Sequence, residues 1–242
     1  MVRIPTPHVR HRNSPRISAN DLARYMVAGH TGKIGIIKNA RDAPTAVVTR
    51  YAKIRDDIRT YLCSPGRSRS DLDGLRNKYA EMADNPGLTE WSRQDARLSV
   101  DVLNSLARMG NVIAGGRFVA PPAKQPPLAI SGVSVSISLN VMQVRQRAGK
   151  DEVGGVLFRL TKADDETEGA AAKRRDIGSY AATLAFMQAQ ANPLDGTQTH
   201  HQLCASFDIQ CEEVHQAPRN YATRAKDIEN ACRFIEAMWE KA

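Results

Sequence analysis

The chain has 242 residues, 42% apolar and 25% charged, enough for one large domain or two small ones with a proper core. Its net charge of +8 and isoelectric point near 9.5 favour a polyanionic partner, nucleic acid above all. No run approaches the roughly 18 apolar residues that cross a bilayer. Cys63, Cys204, Cys211 and Cys232 form no close pair, which argues against a disulfide-stapled secreted module and for a reducing, cytoplasmic setting.

Residues 1–16 (MVRIPTPHVRHRNSPR) are basic and lack the apolar stretch of a signal peptide. They read as an extended arm whose Arg10, Arg12 and Arg16 lie along a phosphate backbone, or as a plain disordered tail. At 17–26 a helix is expected, with Ser18 as its N-cap and Asp21 completing a capping box. Residues 28–44 read as a loop with a basic edge. Gly29-His30-Thr31-Gly32-Lys33 lacks the four-residue gap of a phosphate loop, and Ile34 stands where Ser or Thr is needed.

The segment 45–62 predicts an amphipathic helix that buries Val47, Val48, Tyr51, Ile54, Ile58, Tyr61 and Leu62, with Arg50, Lys53, Arg55 and Arg59 on its outer side. A shorter helix is expected over 71–83. A third over 89–113 is capped by Thr89 and buries Trp91, Leu98, Val102, Leu103, Leu106 and Met109. The region 17–113 is thus helical, and the Gly- and Pro-rich stretch 114–127 reads as a link or a stiff lead-in to the first strand.

Residues 128–162 alternate strictly at first. Val133, Val135, Ile137, Leu139 and Val141 point one way; Ser134, Ser136, Ser138 and Asn140 point the other. A charged turn around Gly149 and a short apolar run behind Gly154 and Gly155 complete a predicted hairpin. One expects strands near 129–143, 153–161 and 203–209 in one sheet, a helix over 176–190 packed on it, a short strand at Val214 and a closing helix over 220–242. The fold class is α/β or α+β: a helical half, then a small mixed sheet with packing helices over 128–242.

Among candidate groups, Lys173, Arg174 and Arg175 just before the 176–190 helix suit a phosphate. The run 164–168 reads as a solvated loop. His200 and His201 with Cys204 and Cys211 do not match a zinc spacing, and no local signature supplies a nucleophile with its base.

The order of elements resembles the PD-(D/E)XK nuclease core, with RecB-type exonucleases and their CRISPR-associated relatives as the nearest subset. The resemblance spans about a third of the chain. ISANDLARY (17–25) is similar to the Ser-containing helix that opens such domains, and Tyr180 fits the last position of their Gln-x-x-x-Tyr motif, where Asp176 replaces the Gln. The resemblance implies a restriction-endonuclease-like core with Mg²⁺ held by an Asp on the first hairpin strand and by a carboxylate two residues before a Lys on the next. Here those positions carry Asn140 and Leu160, and Lys162 alone agrees. An Asn offers one neutral oxygen and a Leu none, so hard-cation binding is lost. No cofactor is then expected, unless Asp164, Asp165, Glu166 or Asp208 supply relocated carboxylates for Mg²⁺.

Three functions follow. The first is a non-catalytic nucleic-acid-binding subunit of a larger assembly, contacting DNA or RNA through Arg10, Arg12, Arg16, Lys162, Lys173, Arg174 and Arg175. The second is an active Mg²⁺-dependent nuclease with relocated carboxylates. The third is a protein-interaction scaffold that docks partners on helices 45–62 and 89–113.

Overall fold

The computed structural model describes residues 9–44, 50–161 and 167–242. In chain order the elements are β1 Val9–His11, β2 Arg16–Ser18, α1 Ala19–Val27, α2 His30–Arg41, β3 Asp42–Pro44, α3 Ala52–Cys63, α4 Arg69–Asp84, α5 Glu90–Arg108, the single turn α6 Gly110–Ile113, β4 Arg117–Val119, β5 Leu128–Ile130, β6 Val133–Ser136, β7 Val141–Arg147, β8 Lys150–Arg159, α7 Glu168–Ala191, β9 Gln198–Thr199, β10 Ala205–Asp208, β11 Glu213–Gln216 and α8 Tyr221–Met238. The fold is mixed α and β, as the alternation of patterns predicts.

The main sheet runs β11-β10-β8-β7-β4, with β9 added beside β8. β7 and β8 form an antiparallel hairpin, α7 crosses over, β10 returns parallel to β8, and β11 closes antiparallel. The period of two sorts the side chains. Val141, Val156, Phe158, Leu160, Ala205 and Phe207 join α3, α4 and α5 in one apolar cluster; Met142, Val153, Leu157 and Cys204 join α1, α7 and α8 in the other. Helices therefore cover both faces. α7 lies between the sheet and α1 and is buried on most sides, which suits its run of alanines. Gly155 permits this approach: a Cβ there would stand 2.7 Å from Leu139 and 3.0 Å from the carbonyl oxygen of Ala185.

The expected strand over 129–143 is instead three short strands in two sheets. β5 and β6 pair with each other, and β2 pairs parallel with β6 in a separate three-stranded sheet; only β7 belongs to the main one. The buried and less buried positions do alternate from Val133 to Leu139. The ladder breaks because a side chain replaces a strand there. Gln125 accepts the Leu139 N–H at 2.6 Å and donates to the Leu139 carbonyl at 3.1 Å. Gln125 lies in the stretch read as a linker, which also contributes β4 and the buried Phe118.

The loop expected at 28–44 is the helix α2 and the strand β3. Gly29 is its N-cap, and Gly32 and Gly35, which weaken the sequence signal, sit inside it. The helix expected from residue 45 begins at Ala52, because Tyr51 has φ 64° and cannot continue it; residues 45–49 lie outside the described residues. Trp91, expected to be buried, is 37% exposed in the first turn of α5, with the Arg50 guanidinium 6.0 Å from its ring centroid. No helix among the described residues is long and apolar enough to cross a membrane.

Candidate functional site

Where the chain passes from the small sheet to the main one it opens a cleft of about 460 Å³. One wall is the start of α1, another is the first turn of α3, and the floor is the segment 136–140 against Leu157 and Phe158. The start of α1 is fixed by Ser18, whose hydroxyl accepts the Asp21 N–H at 3.2 Å and donates to the Asp21 carboxylate at 2.7 Å. That leaves the amides of Ala19 and Asn20 among the first N–H groups of the helix, which have no intrahelical partner. Ser136 and Ser138, from the polar side of the alternating stretch, line the cleft beside Asn140.

Asn140 is 6% exposed. Its backbone N–H reaches the Val156 carbonyl at 2.8 Å, and its side-chain oxygen accepts the Phe158 N–H at 2.6 Å. Asn140 thus acts as a plug that supplies β8 with a hydrogen-bond acceptor where the ladder starts. Arg55 donates to the Phe158 carbonyl at 3.1 Å. It is half-buried rather than on the outer side of its helix, and burial pulls its pKa below the usual guanidinium value. Sequence periodicity gave no sign of this, since the position lies next to the apolar stripe.

Leu160 is 2% exposed within the apolar cluster that also holds Ile54, Ile58 and Phe207. With the Asn140 oxygen engaged by a backbone amide and Leu160 apolar, these two positions do not fit a hard divalent cation. Lys162, Asp164, Asp165 and Glu166 lie outside the described residues. Asp208, on β10, is 1% exposed and pairs with Arg159 at 2.9 Å. Burial raises its pKa and Arg159 opposes the rise. Among the described residues no group of three or more His, Cys, Asp and Glu is placed to hold a metal ion.

The basic arm is docked from residue 9 onward rather than extended. β1 pairs with β3, β2 joins the small sheet, Arg12 donates to the Ala40 carbonyl at 3.0 Å, and the Trp239 indole donates to the Arg12 carbonyl at 2.8 Å. Arg10 and Arg16 remain exposed, and Arg16 donates to the Ser136 hydroxyl at 3.2 Å, behind the rim of the cleft. Lys173, Arg174 and Arg175 do not precede their helix; they lie inside α7, which starts at the Thr167 cap. Successive helical residues diverge by about 100°, so the three cannot converge on one phosphate. Lys173 and Arg175 are exposed, whereas Arg174 is half-buried.

Asp176 and Tyr180 share one partner: the Arg224 guanidinium lies 4.5 Å from the Tyr180 ring centroid and 3.2 Å from the Asp176 carboxylate. His200 and His201 stack on each other with centroids 4.9 Å apart, and His201 packs with Phe186 and Tyr221. Cys204 is buried, its sulfur accepting the Gly155 N–H, and burial pushes its thiol up to about 12.

No family model matches the chain, and no curated protein matches it.

Proposed function

We infer that the chain is a nucleic-acid-binding protein on a nuclease-like core that does not cleave, working as a subunit of a larger nucleoprotein assembly in the cytoplasm. The observation that carries this reading is the Asn140–Phe158 hydrogen bond at 2.6 Å. On the PD-(D/E)XK resemblance, a metal-binding carboxylate belongs at position 140. Here a neutral amide stands there with its one oxygen committed to the backbone, and Leu160 is buried at the second ligand position.

The order of the main sheet agrees with the resemblance: antiparallel hairpin, crossover helix, parallel strand, antiparallel edge, with helices on both faces. The net charge of +8 supplies a general attraction to phosphates, and Arg10, Arg16, Lys173 and Arg175 are exposed cations on the surface that would meet them. Of the carboxylates considered for a relocated metal site, the one among the described residues, Asp208, pairs with Arg159.

The test is a pair of assays on the purified chain. Salt-sensitive binding of single- or double-stranded DNA or RNA is expected, with no cleavage in Mg²⁺ or Mn²⁺. Metal-dependent cleavage would replace this reading with the active nuclease, and loss of all nucleic-acid binding at low salt would leave the protein scaffold.

A further inference from the structure

We propose that the cleft between α1, α3 and the 136–140 segment seats one phosphate group of the nucleic acid directly, without a metal ion. The proposal rests on the nucleic-acid reading above and adds the place and chemistry of one contact.

It begins from Asn140. Its oxygen accepts the Phe158 N–H, which fixes the amide orientation and leaves the nitrogen as the donor end. Among the described residues nothing accepts a hydrogen bond from that nitrogen, although the side chain is more than nine-tenths buried and lines the cleft. That nitrogen is open to the cleft, so a donor that the fold leaves without an acceptor is available to a guest there.

Several other groups facing the same space can also donate. Arg55 spends one N–H on the Phe158 carbonyl and makes no other protein hydrogen bond among the described residues. The Ser136 hydroxyl accepts from Arg16, so its own hydrogen is free to point elsewhere, and Ser138 adds a second hydroxyl. The first amides of α1 add the positive end of its helix dipole. One carboxylate, Asp56, also lines the cleft and is paired with Arg59 at 3.0 Å, and Asp21 pairs with Arg24 at 3.5 Å. Donors and the Arg55 guanidinium outnumber the one lining carboxylate, itself ion-paired, and this balance favours an anion over a divalent cation.

The source of the phosphate is either a backbone phosphodiester or a terminal phosphate, and both offer the same oxygens. The experiment follows fluorescence anisotropy of 3′-labelled oligonucleotides, with and without a 5′-phosphate, on the full chain with EDTA and then with Mg²⁺. Three variants are compared. Asn140→Asp keeps the acceptor for Phe158 and turns the donor into a negative oxygen; Arg55→Gln removes the charge; Ser138→Ala removes a hydroxyl that makes no hydrogen bond among the described residues. Asn140→Asp and Arg55→Gln should each weaken binding roughly tenfold, the weight of one charge-assisted hydrogen bond, and Ser138→Ala less. Inorganic phosphate should raise the Tm of the wild type and not that of Asn140→Asp.

Tighter binding of the 5′-phosphorylated oligonucleotide identifies a terminal phosphate as the ligand, and equal binding of the two forms a phosphodiester. Wild-type binding that the three variants leave unchanged overturns the seat and spares the nucleic-acid reading. Affinity that appears only with Mg²⁺ overturns the metal-free form. A wild type that binds neither oligonucleotide at low salt overturns the nucleic-acid reading, and the seat falls with it if phosphate also leaves the wild-type Tm unmoved.

Discussion

Gly178 of α7 packs against the imidazole of His215 on β11: a Cβ on the glycine would stand 2.1 Å from Cδ2 of the ring and 2.4 Å from Cγ. The contact lets the central helix approach the sheet edge. Gly178→Ala gains about 1 kcal/mol of helix propensity, but the added methyl overpacks the site at a cost of roughly 1–3 kcal/mol. The clash wins, so the variant should be less stable in urea unfolding. In a His215→Ala background the obstacle is gone and the same substitution should stabilise. A cycle in which the sign does not reverse would show that the glycine serves some other purpose.

The bidentate contact of Gln125 with the backbone of Leu139 explains why the alternating stretch leaves its sheet. Gln125→Ala strands one N–H and one carbonyl, and each unsatisfied buried group costs about 1–3 kcal/mol unless water reaches it. Equilibrium unfolding should therefore show a loss of at least ~1 kcal/mol, and Gln125→Glu should recover only part of it, because its carboxylate accepts from the Leu139 N–H but cannot donate to the carbonyl. An unchanged midpoint would mean that the crossover is held by the packing of Ile137 and Leu139 alone.

These contacts mark how far the sequence could be read. Local rules gave Ser18 and Thr89 as helix caps, and in the second half the hairpin, the helix packed on its sheet and the strand near 203–209, though not that strand's direction. The inward side of Val133, Val135, Ile137 and Leu139 was legible because burial follows the period of two even where the ladder fails. The partition into two sheets was not, since it depends on one glutamine reaching fourteen residues along the chain. α2 was hidden by Gly32 and Gly35, whose low helix propensity is overridden by packing of Ile37 in the core. Arg55 at the cleft and the Arg159–Asp208 pair are tertiary events with no period to announce them.

Stability should fall as the solution is acidified below neutrality. Burial lowers the pKa of His215 and of His201 below the ordinary value of 6.5. His215 is faced by Glu213 at 3.1 Å and also feels Asp208 and Arg159; the two carboxylates oppose the shift and Arg159 adds to it. His201 is further lowered by His200 and Arg219. A depressed folded-state pKa means that the unfolded chain binds protons first, so the contribution present above pH 6.5 is lost as pH falls through the folded pKa values. Asp208, raised by burial, acts in the opposite sense: its contribution is full below 3.8 and is lost as pH rises through its folded pKa. Urea midpoints between pH 7.5 and 5.5 should decline, and His215→Gln should make the decline shallower. An equal slope in that variant would exclude His215 as a source.

Arg159 and Asp208 face each other at 2.9 Å with side-chain exposures of 16% and 1%. Removing one partner leaves a buried charge, so Asp208→Ala should cost about 3–5 kcal/mol, while Arg159→Leu with Asp208→Leu together should be close to neutral. Thermal unfolding of the two proteins decides it. The same variants separate a structural carboxylate from a metal ligand. If Asp208 is structural, added Mg²⁺ leaves the wild-type Tm unchanged. A rise with Mg²⁺ that Asp208→Ala abolishes would favour the relocated nuclease site.

Electrostatic contact with nucleic acid should be uneven over the surface. Arg10 and Arg16 are exposed, and Arg16 stands behind Ser136 at the cleft rim. Lys173 is also exposed, but it borders a depression where Asp176 and Asp227 balance Lys173 and Arg224, so the local net charge is near zero. Counterion release gives a slope of log affinity against log salt of about −0.9 per phosphate met on duplex DNA and about −0.7 on single strands. Replacing Arg10 and Arg16 together by Ala should therefore flatten the slope by roughly 1.4–1.8 units, and replacing Lys173 and Arg175 by less. Neither pair should move the unfolding midpoint appreciably, because exposed charges contribute little to stability. Anisotropy titrations at four or five salt concentrations give both slopes. A larger change from the Lys173 and Arg175 pair would shift the contact surface from the small sheet to the start of α7.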